Sequence, residues 1–349
     1  GEKKMSKKVL ITGVSGFLGM HAALLCLKLG FKVVGIDDLN DFTYGAYLKF
    51  DRLGALGVDV SELASSTYAK SGDFEFHCFD LADTPTVEAM IMDGDFDLIL
   101  HFASLSSVKA ATLSPAVFFK ANVKGLESIL EGIRALDNKR PLLINASSAA
   151  VYGESAGLLL TEDDKNLLKP NSIYAASKLM GEQLCEVYAR LYNIKSITMR
   201  IFNVYGPFMR PDTLLFKLQR LMTTQDPLDL YDDGKHQHDF LYIDDFIEAL
   251  KCLMNFKGDN NYEIFNIGSG EAVSVRNIIA RYEKLNNAKL KTYTCESPLG
   301  ECSDLISCNE KFIRYFDFYP KISLDAGLAQ FHNWAMTYLH STDSYFKNL

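Results

Sequence analysis

The feature that most restricts the fold of this chain is a glycine-rich turn near its amino terminus, Thr12-Gly13-Val14-Ser15-Gly16-Phe17-Leu18-Gly19. The turn follows an apolar run, residues 8–12, that predicts a strand, and it opens a run, residues 16–29, that predicts a helix. Glycines here allow a tight turn and close backbone approach, so the N–H groups at the helix start can bind a pyrophosphate. A chain that begins in this way is expected to bind a dinucleotide.

The first 150 residues alternate short apolar runs with longer helical patterns, which is typical of right-handed βαβ units. The predicted strands are residues 8–12, 31–37, 74–80, 95–103, 142–148, 196–202 and 264–267. The predicted fold class is therefore α/β, a Rossmann-type doubly wound parallel sheet with a smaller, discontinuous α/β substrate-binding domain. Because the last strand returns late to the sheet, we expect an NAD-binding domain of residues 5–203 plus 241–270 and a substrate domain of residues 204–240 plus 271–349. Residues 39–69 form an insertion with no predicted role.

Charge and cysteine content argue against several classes of function. A net charge of −8 over 349 residues, without a basic stripe, argues against nucleic-acid binding. No apolar run reaches the roughly 18 residues that a membrane-spanning helix needs, and no signal core follows the basic residues 2–8. The seven cysteines include no C-x-x-C pair, and Cys295, Cys302 and Cys308 lack zinc-ligand spacing. We therefore expect free thiols, a cytoplasmic protein and no metal.

Tyr174 and Lys178 lie one helical turn apart on the predicted helix of residues 173–193, so both side chains reach the same place. An ammonium beside a phenol favours the phenolate and lowers a pKa that is about 10 when unperturbed. Tyr174 would then be a usable base near neutral pH. Taken alone, the pair fits two residues on a solvated helix face better than a catalytic pair, so its interpretation depends on the residues around it.

Asp37 stands at the end of the second predicted strand, where a carboxylate would accept hydrogen bonds from the ribose hydroxyls of adenosine. The same negative charge would repel a 2′-phosphate. The sequence therefore favours NAD over NADP.

The spacing T-G-x-x-G-x-x-G, together with Tyr174 and Lys178, resembles that of the extended short-chain dehydrogenase/reductase family over nearly the whole chain. The stretch Asn145–Gly153 is similar to the motif on the fifth strand of that family, which makes Ser148 the catalytic hydroxyl. The resemblance implies that NAD contacts the following residues: Gly13, Ser15, Gly16, Phe17, Leu18, Gly19, Asp37, Asp80, Leu81, Phe102, Ala103, Asn122, Tyr174 and Lys178.

Within this family, the residues between Ser148 and Tyr152 help to decide the reaction, and here they include Ala149 and Ala150. Members that eliminate water have an Asp-Glu pair at this place, because dehydration needs an additional acid and base. With no second acid or base beside Ser148 and Tyr174, the predicted chemistry is reversible oxidation of one hydroxyl.

Later motifs are similar to those of nucleotide-sugar 4-epimerases, and most similar to the UDP-glucuronate 4-epimerases. This resemblance implies inversion at C4 of a UDP-sugar through a transient 4-keto intermediate, with NAD tightly bound and regenerated in each turnover. The implied substrate-binding residues are Ser148, Asn203, Arg210 and His238. Asn203 is more like the UDP-glucose type, and His238 stands where members usually carry an arginine on the diphosphate. His238 equally fits a loop residue without that role.

Several alternatives stay open at the level of the sequence. UDP-glucose or UDP-N-acetylglucosamine could replace UDP-glucuronate as the substrate. The chain could also be an NAD(P)H-dependent reductase of 4-keto nucleotide sugars, or a non-catalytic dinucleotide-binding regulator. The predicted helices of residues 114–136 and 173–193 imply a homodimer, by resemblance to the family.

Overall fold

The computed structural model describes residues 6–155, 157–301 and 304–341. Residue 5, Cys302 and residues 342–349, which the predictions above include, lie outside this part of the chain. The strands are β1 Lys8–Thr12, β2 Lys32–Asp37, β3 Tyr68–Ser71, β4 Phe74–Cys78, β5 Leu98–His101, β6 Leu142–Ser148, β7 Leu159–Leu160, β8 Ser196–Ile201, β9 Asn203–Tyr205, β10 Leu228–Tyr231, β11 Gln237–Tyr242, β12 Tyr262–Ile267, β13 Ala272–Ser274, β14 Thr292–Cys295 and β15 Ile306–Ser307.

The α-helices form the layers that cover these strands. They are α1 Phe17–Lys28, α2 Tyr47–Ala55, α3 Thr84–Gly94, α4 Val108–Leu113, α5 Pro115–Phe119, α6 Gly125–Arg134, α7 Ile173–Tyr192, α8 Leu214–Thr224, α9 Ile243–Met254, α10 Val275–Asn286, α11 Glu310–Phe316 and α12 Leu324–Ser341. Helices α5 and α6 are joined by a π-helical turn, Lys120–Lys124. None of the helices in residues 6–155, 157–301 and 304–341 is long and apolar enough to cross a membrane.

The main sheet has eight strands in the order β12-β8-β6-β5-β1-β2-β4-β3. Strand β1 pairs in parallel with both β2 and β5, so it lies where the order of the strands reverses. Ligands of such sheets bind at the carboxyl ends of the strands beside this point. The glycine-rich turn follows β1 directly, which places it at that edge. The predicted doubly wound α/β fold is confirmed.

Apolar residues on both faces explain why these strands form a parallel sheet, since a sheet of this kind is covered by helices on each side. Val9, Leu10 and Ile11 of β1 are fully buried. Leu10 belongs to a core cluster in which α3 and α6 pack on the sheet, and the helical members include Val87, Ile91, Leu126, Ile129, Leu130 and Ile133.

The chain divides into two compact units, each made of three segments. The first unit is residues 1–151, 172–200 and 249–265, and the second is residues 152–171, 201–248 and 266–349. The predicted boundaries differ from these mainly in residues 152–171, which the sequence analysis assigns to the first domain. They belong to the second unit because β7 pairs with β15 and because Tyr152 donates a 2.7 Å hydrogen bond to Asn266.

Most predicted elements of the first unit are present within a few residues of their expected limits, and β6 has the predicted limits. The insertion of residues 39–69 contains α2 and part of β3, an edge strand that pairs antiparallel with β4. The described residues of the second unit contain three small sheets, β13-β11-β9, β10-β14 and β15-β7. The functions of the two units, NAD binding and substrate binding, remain predictions.

Candidate active site

The glycine-rich turn holds its backbone against two neighbouring strand ends. The N–H of Gly13 donates to the carbonyl of Ile36 at 2.8 Å. Gly13 has a φ of +69°, and a Cβ there would lie 2.7 Å from the backbone nitrogen of Ala103. A Cβ on Gly19 would lie 2.1 Å from the carbonyl oxygen of Gly13. Only glycine fits at these two positions, which brings the start of α1 close to the strand ends.

Asp37, at the end of β2, is hydrogen-bonded to the same turn. Its carboxylate accepts hydrogen bonds from the backbone N–H of Ser15 at 3.2 Å and of Leu39 at 3.0 Å. A carboxylate has about four lone-pair positions, so it can still accept from a ribose hydroxyl. The Ser15 hydroxyl is buried and has no hydrogen-bond partner in the described residues. Ser15 and Asp37 are therefore adjacent, as two of the residues predicted to contact NAD.

Arg52 is a residue of this site that the sequence analysis missed. It lies on α2, in the insertion, and its side chain is fully buried. The guanidinium donates to the carbonyl of Ser15 at 3.1 Å and to the hydroxyl of Tyr44 at 2.7 Å. Arg52 lies four residues after the buried Leu48. This helical spacing is the sequence signal that could have placed Arg52 on the buried face of α2. The insertion thus supports the glycine-rich turn.

Asp80 and Leu81, predicted to contact NAD, follow β4. Asp80 accepts from the backbone N–H of Ala82 at 2.9 Å and pairs with Lys120 at 2.7 Å. Burial raises the pKa of the Asp80 carboxyl, but the hydrogen bonds from Lys120 and Ala82 outweigh it and the pKa is lowered. Leu81 is buried in the core cluster under the sheet. Their contact with a cofactor stays a prediction.

The turn after β5 packs on the glycine-rich turn through a buried histidine. His101 Nδ1 lies within hydrogen-bond distance of Thr12 Oγ1, at 2.7 Å. The same Oγ1 accepts a hydrogen bond from the backbone N–H of Ala103 at 3.3 Å. Burial, aided by the charge of Lys178, lowers the pKa of His101 to about 3. The imidazole is therefore neutral, and it positions Phe102 and Ala103 rather than supplying a charge.

Lys178 lies on α7 and is buried behind Tyr174. Its Nζ donates to the carbonyl of Ala146 on β6 at 2.9 Å and lies 6.0 Å from the centre of the Tyr174 ring. Burial lowers the pKa of Lys178 to about 8, against the opposing effect of Glu182. The ammonium is thus the predominant form at neutral pH. The one-turn spacing places the two groups side by side, as the sequence predicts.

Ser148 ends β6, the strand that accepts the hydrogen bond of Lys178. Its Oγ accepts from the backbone N–H of Ala150 at 3.1 Å, so the hydroxyl hydrogen is left for another acceptor. Ala149 and Ala150 begin a short 3-10 turn after the strand. Methyl groups there supply neither an acid nor a base.

Asn122 lies in the π-helical turn, a local distortion that recurs at functional sites. Its amide donates to the carbonyl of Leu105 and to the hydroxyl of Ser177, both at 2.9 Å, and its oxygen accepts from the N–H of Leu105 at 2.7 Å. The hydroxyl of Ser177 in turn donates to the carbonyl of Tyr174 at 2.7 Å. Asn122 thus braces the first turn of α7, and its predicted contact with NAD stays a prediction.

The second unit carries the other three predicted substrate residues. Asn203 donates from its amide to the carbonyl of Asp239 at 3.1 Å. The guanidinium of Arg210 donates twice to Asp212, at 2.9 and 2.6 Å. The two side chains form a bidentate ion pair.

His238 lies on β11, half-buried and edge-on to Phe240 with ring centres 6.3 Å apart. Burial lowers the pKa of His238 to about 4, with Asp304 opposing and His236 adding to the shift. The imidazole is therefore uncharged at neutral pH, whereas an arginine would be cationic.

The sequence model of the NAD dependent epimerase/dehydratase family matches residues 9–268 of this chain. The chain belongs to this family.

Known proteins resemble the chain over nearly its whole length. A UDP-glucuronate 4-epimerase of Thermodesulfobacterium geofontis is 30% identical over 328 residues, which cover 93% of this chain and 95% of that protein. Protein CapI of Staphylococcus aureus is 29% identical over 348 residues, covering 95% and 99%. The crystal structure of UDP-glucuronic acid 4-epimerase from Bacillus cereus in complex with UDP-glucuronic acid and NAD has a TM-score of 0.83 and 29% identity, covering 95% and 99%.

NAD is the cofactor of this epimerase/dehydratase family, and the residues of the chain fit it. Glycines 13 and 19 leave no room for a Cβ at the start of α1, as a backbone that approaches a pyrophosphate requires. The orphaned hydroxyl of Ser15 and the carboxylate of Asp37 add a donor and an acceptor at the same turn. These residues would hold the dinucleotide at the carboxyl edge of the sheet.

Proposed function

We propose that this family member inverts C4 of a UDP-sugar, with UDP-glucuronate as the leading substrate, NAD as the tightly held cofactor and a 4-keto sugar as the transient intermediate. The observation that carries the proposal is that Lys178, one helical turn from Tyr174, donates to the carbonyl of Ala146 on β6, the strand that ends at Ser148 and is followed by two alanines. A phenol, an ammonium and a hydroxyl can move one proton, and the alanines supply no group for eliminating water. The names of the similar UDP-glucuronate 4-epimerases support the choice of substrate.

In this proposal each side chain has one task at the sugar O4. Tyr174, as phenolate, accepts the O4 proton while the hydroxyl of Ser148 hydrogen-bonds the oxygen. Lys178 stabilises the phenolate by its charge, and the carbonyl of Ala146 fixes the direction of the ammonium. The same phenol later returns the proton to O4, so Tyr174 ends each turnover as it began.

NAD, when bound, supplies the hydride acceptor and donor for C4. The C4–H and O4–H bonds break as the carbonyl forms, and both bonds form again when the 4-keto sugar has turned over and presents its other face. No net oxidant is consumed. The chain therefore has to retain its cofactor and exclude water between the two half-reactions.

The second unit is proposed to bind the sugar nucleotide. Asn203, Arg210 and His238 are its predicted contacts, and Arg210 is the cationic group among them that suits a charged C6 carboxylate. Asn203 favours the UDP-glucose type instead, so UDP-glucose is the second candidate. The neutral His238 is a weaker partner for a diphosphate than a cation.

The decisive experiment incubates the purified protein separately with UDP-glucuronate, UDP-glucose and UDP-N-acetylglucosamine and follows C4 stereochemistry by NMR. We expect conversion of UDP-glucuronate and one NAD per chain in the supernatant after denaturation. NAD-free protein that oxidises added NAD(P)H with a 4-keto nucleotide sugar would identify a reductase. Retained NAD without conversion of any of the three sugars would identify a regulator.

We also infer a cytoplasmic homodimer. Exposed apolar side chains on α5 and α7, including Val117, Met180 and Leu191, support an association of these helices with a second copy. Light scattering on the purified protein tests the assembly, and Met180→Glu together with Leu191→Glu should give monomers if these helices form the interface. A wild-type monomer would exclude the dimer.

A further inference from the structure

A buried ion pair joins α7 to β8 in the first unit. The side chains of Glu182 and Arg200 are only 1 and 2% exposed. Arg200 donates from Nη2 to Glu182 Oε2 at 2.8 Å and from Nε to Oε1 at 3.1 Å. Both charges are thus removed from water and held in one geometry.

Glu182 has a further partner on β6. Its Oε1 accepts from the hydroxyl of Ser147 at 2.6 Å, which makes the carboxylate a link between three elements, α7, β6 and β8. Ser147 immediately precedes Ser148, the predicted catalytic hydroxyl. A displacement of Glu182 would therefore be transmitted to the end of β6.

Lys178 and Glu182 are one turn apart on α7 and share its buried face. Lys178 donates to Ala146, and Glu182 accepts from Ser147, so neighbouring residues of β6 are bonded to neighbouring turns of the helix. Tyr174 lies one turn before Lys178. These contacts determine how far the helix carrying Tyr174 lies from the strand carrying Ser148.

Stability alone is a poor reason for this arrangement. Replacing a buried ion pair by apolar residues of similar volume is often neutral or stabilising, because removing two charges from water is costly. A role in fixing the geometry of neighbouring groups, or in supplying a charge to them, explains a buried ion pair better than stability does. Glu182 also supplies a negative charge that favours the ammonium of Lys178, against the burial that disfavours it.

We propose that Glu182, held by Arg200, is a positioning residue that keeps the ammonium of Lys178 charged and α7 in register with β6. This inference rests on the proposed function, because it assigns Lys178 the task of stabilising a phenolate. Glu182 has no contact with substrate in this scheme. It acts through Lys178 and Ser147.

The test compares Glu182→Gln with the double variant E182M/R200M, in which both charges are removed and apolar packing is expected to preserve the fold. Glu186→Gln is the matched control, one turn further along α7 and half-buried. The readouts are kcat and KM against pH, and the titration of Lys178 by NMR of ¹³C-lysine-labelled protein. The Lys178 resonance is assigned by its absence in Lys178→Met.

We expect both Glu182 variants to lose about tenfold or more in kcat with little change in KM. The pKa of Lys178, about 8 in the wild type, should fall in Glu182→Gln, which leaves the Arg200 cation unpaired, and fall less in the double variant, which removes an anion and a cation together. The alkaline limb of the kcat profile should move to lower pH with it. Glu186→Gln should change neither.

A double variant with wild-type kcat and an unchanged Lys178 titration would overturn the proposal and leave Glu182 a structural residue. A wild type that converts no UDP-sugar would instead refute the proposed function. In that case the NMR titration still decides whether Glu182 maintains the charge of Lys178.

Discussion

The two compact units differ in how they hold their predicted functional groups. In the first unit these groups lie on one long helix and at the ends of strands in an eight-stranded sheet, as Tyr174, Ser148 and Asp37 do. In the second unit Asn203 and His238 lie on short strands of a three-stranded sheet, and Arg210 lies between β9 and α8.

Both units contain non-glycine residues with positive φ near these groups, a conformation that costs energy and needs support from its surroundings. They are Leu39 and Ser107 in the first unit and Phe208, Asp232 and Asp233 in the second. The comparison teaches that the proposed proton-transfer groups are built into regular structure, whereas the groups proposed to bind the sugar lie on loops and short strands. Substitutions in the first unit should therefore change kcat, and those in the second should change KM.

The largest effect is expected for Tyr174→Phe. Losing the proton acceptor should reduce kcat by about 10²–10⁴-fold, because this is the range that general acid–base catalysis contributes. KM and retained NAD should be unchanged. Initial-rate kinetics measure the effect. The control is Tyr68→Phe, which changes an exposed tyrosine on the edge strand β3. Activity within a few-fold of wild type would assign the proton to another group.

Arg52→Leu should lower the free energy of unfolding and the retained NAD together. The buried carbonyl of Ser15 and hydroxyl of Tyr44 would lose a charged donor, at a cost of about 1–3 kcal/mol. Urea unfolding and the NAD content after denaturation measure the two effects. Arg52→Lys, which keeps the charge but not the planar geometry, should be intermediate. Full NAD content in Arg52→Leu would separate the insertion from cofactor binding.

Arg210→Gln should raise KM about tenfold, equivalent to about 1.4 kcal/mol, with kcat nearly unchanged. If the guanidinium faces a charged C6, the rise should be greater for UDP-glucuronate than for UDP-glucose. Steady-state kinetics on both sugars are the measurement. An equal rise for both would assign Arg210 to the nucleotide part of the substrate, and a fall in kcat alone would contradict the division between the units.

The smallest effect is expected for His238→Arg, which should lower KM by about threefold by adding a cation for the diphosphate. The wild-type pKa of His238 is about 4, so the imidazole stays neutral as pH falls from 8 to about 6 and should not change KM over that range. It gains charge only as the pH approaches 4. KM measured against pH for both proteins tests this. A wild-type KM that falls steadily below about pH 7 would mean that His238 titrates normally.

The sequence predicts best where a local pattern determines the structure. β6 ends at Ser148 as expected, and Tyr174 and Lys178 meet because a helical turn brings them together. Arg52 was missed because its partner Ser15 is 37 residues away and becomes a neighbour only in the fold. The pairing of β7 with β15, which assigns residues 152–171 to the second unit, likewise joins distant segments of two residues each.

The segmented units also restrict how the protein can acquire its structure during synthesis. Along the chain the backbone passes between the two units five times, and the edge strand β12 of the main sheet is translated only after most of the second unit's first two segments. Neither unit is complete on a nascent chain that ends before residue 262. Until β12 has been synthesised, the strands of the main sheet that precede it therefore have an unpaired edge at β8. Partly folded chains with unpaired strand edges are prone to aggregate, and chaperones protect such chains.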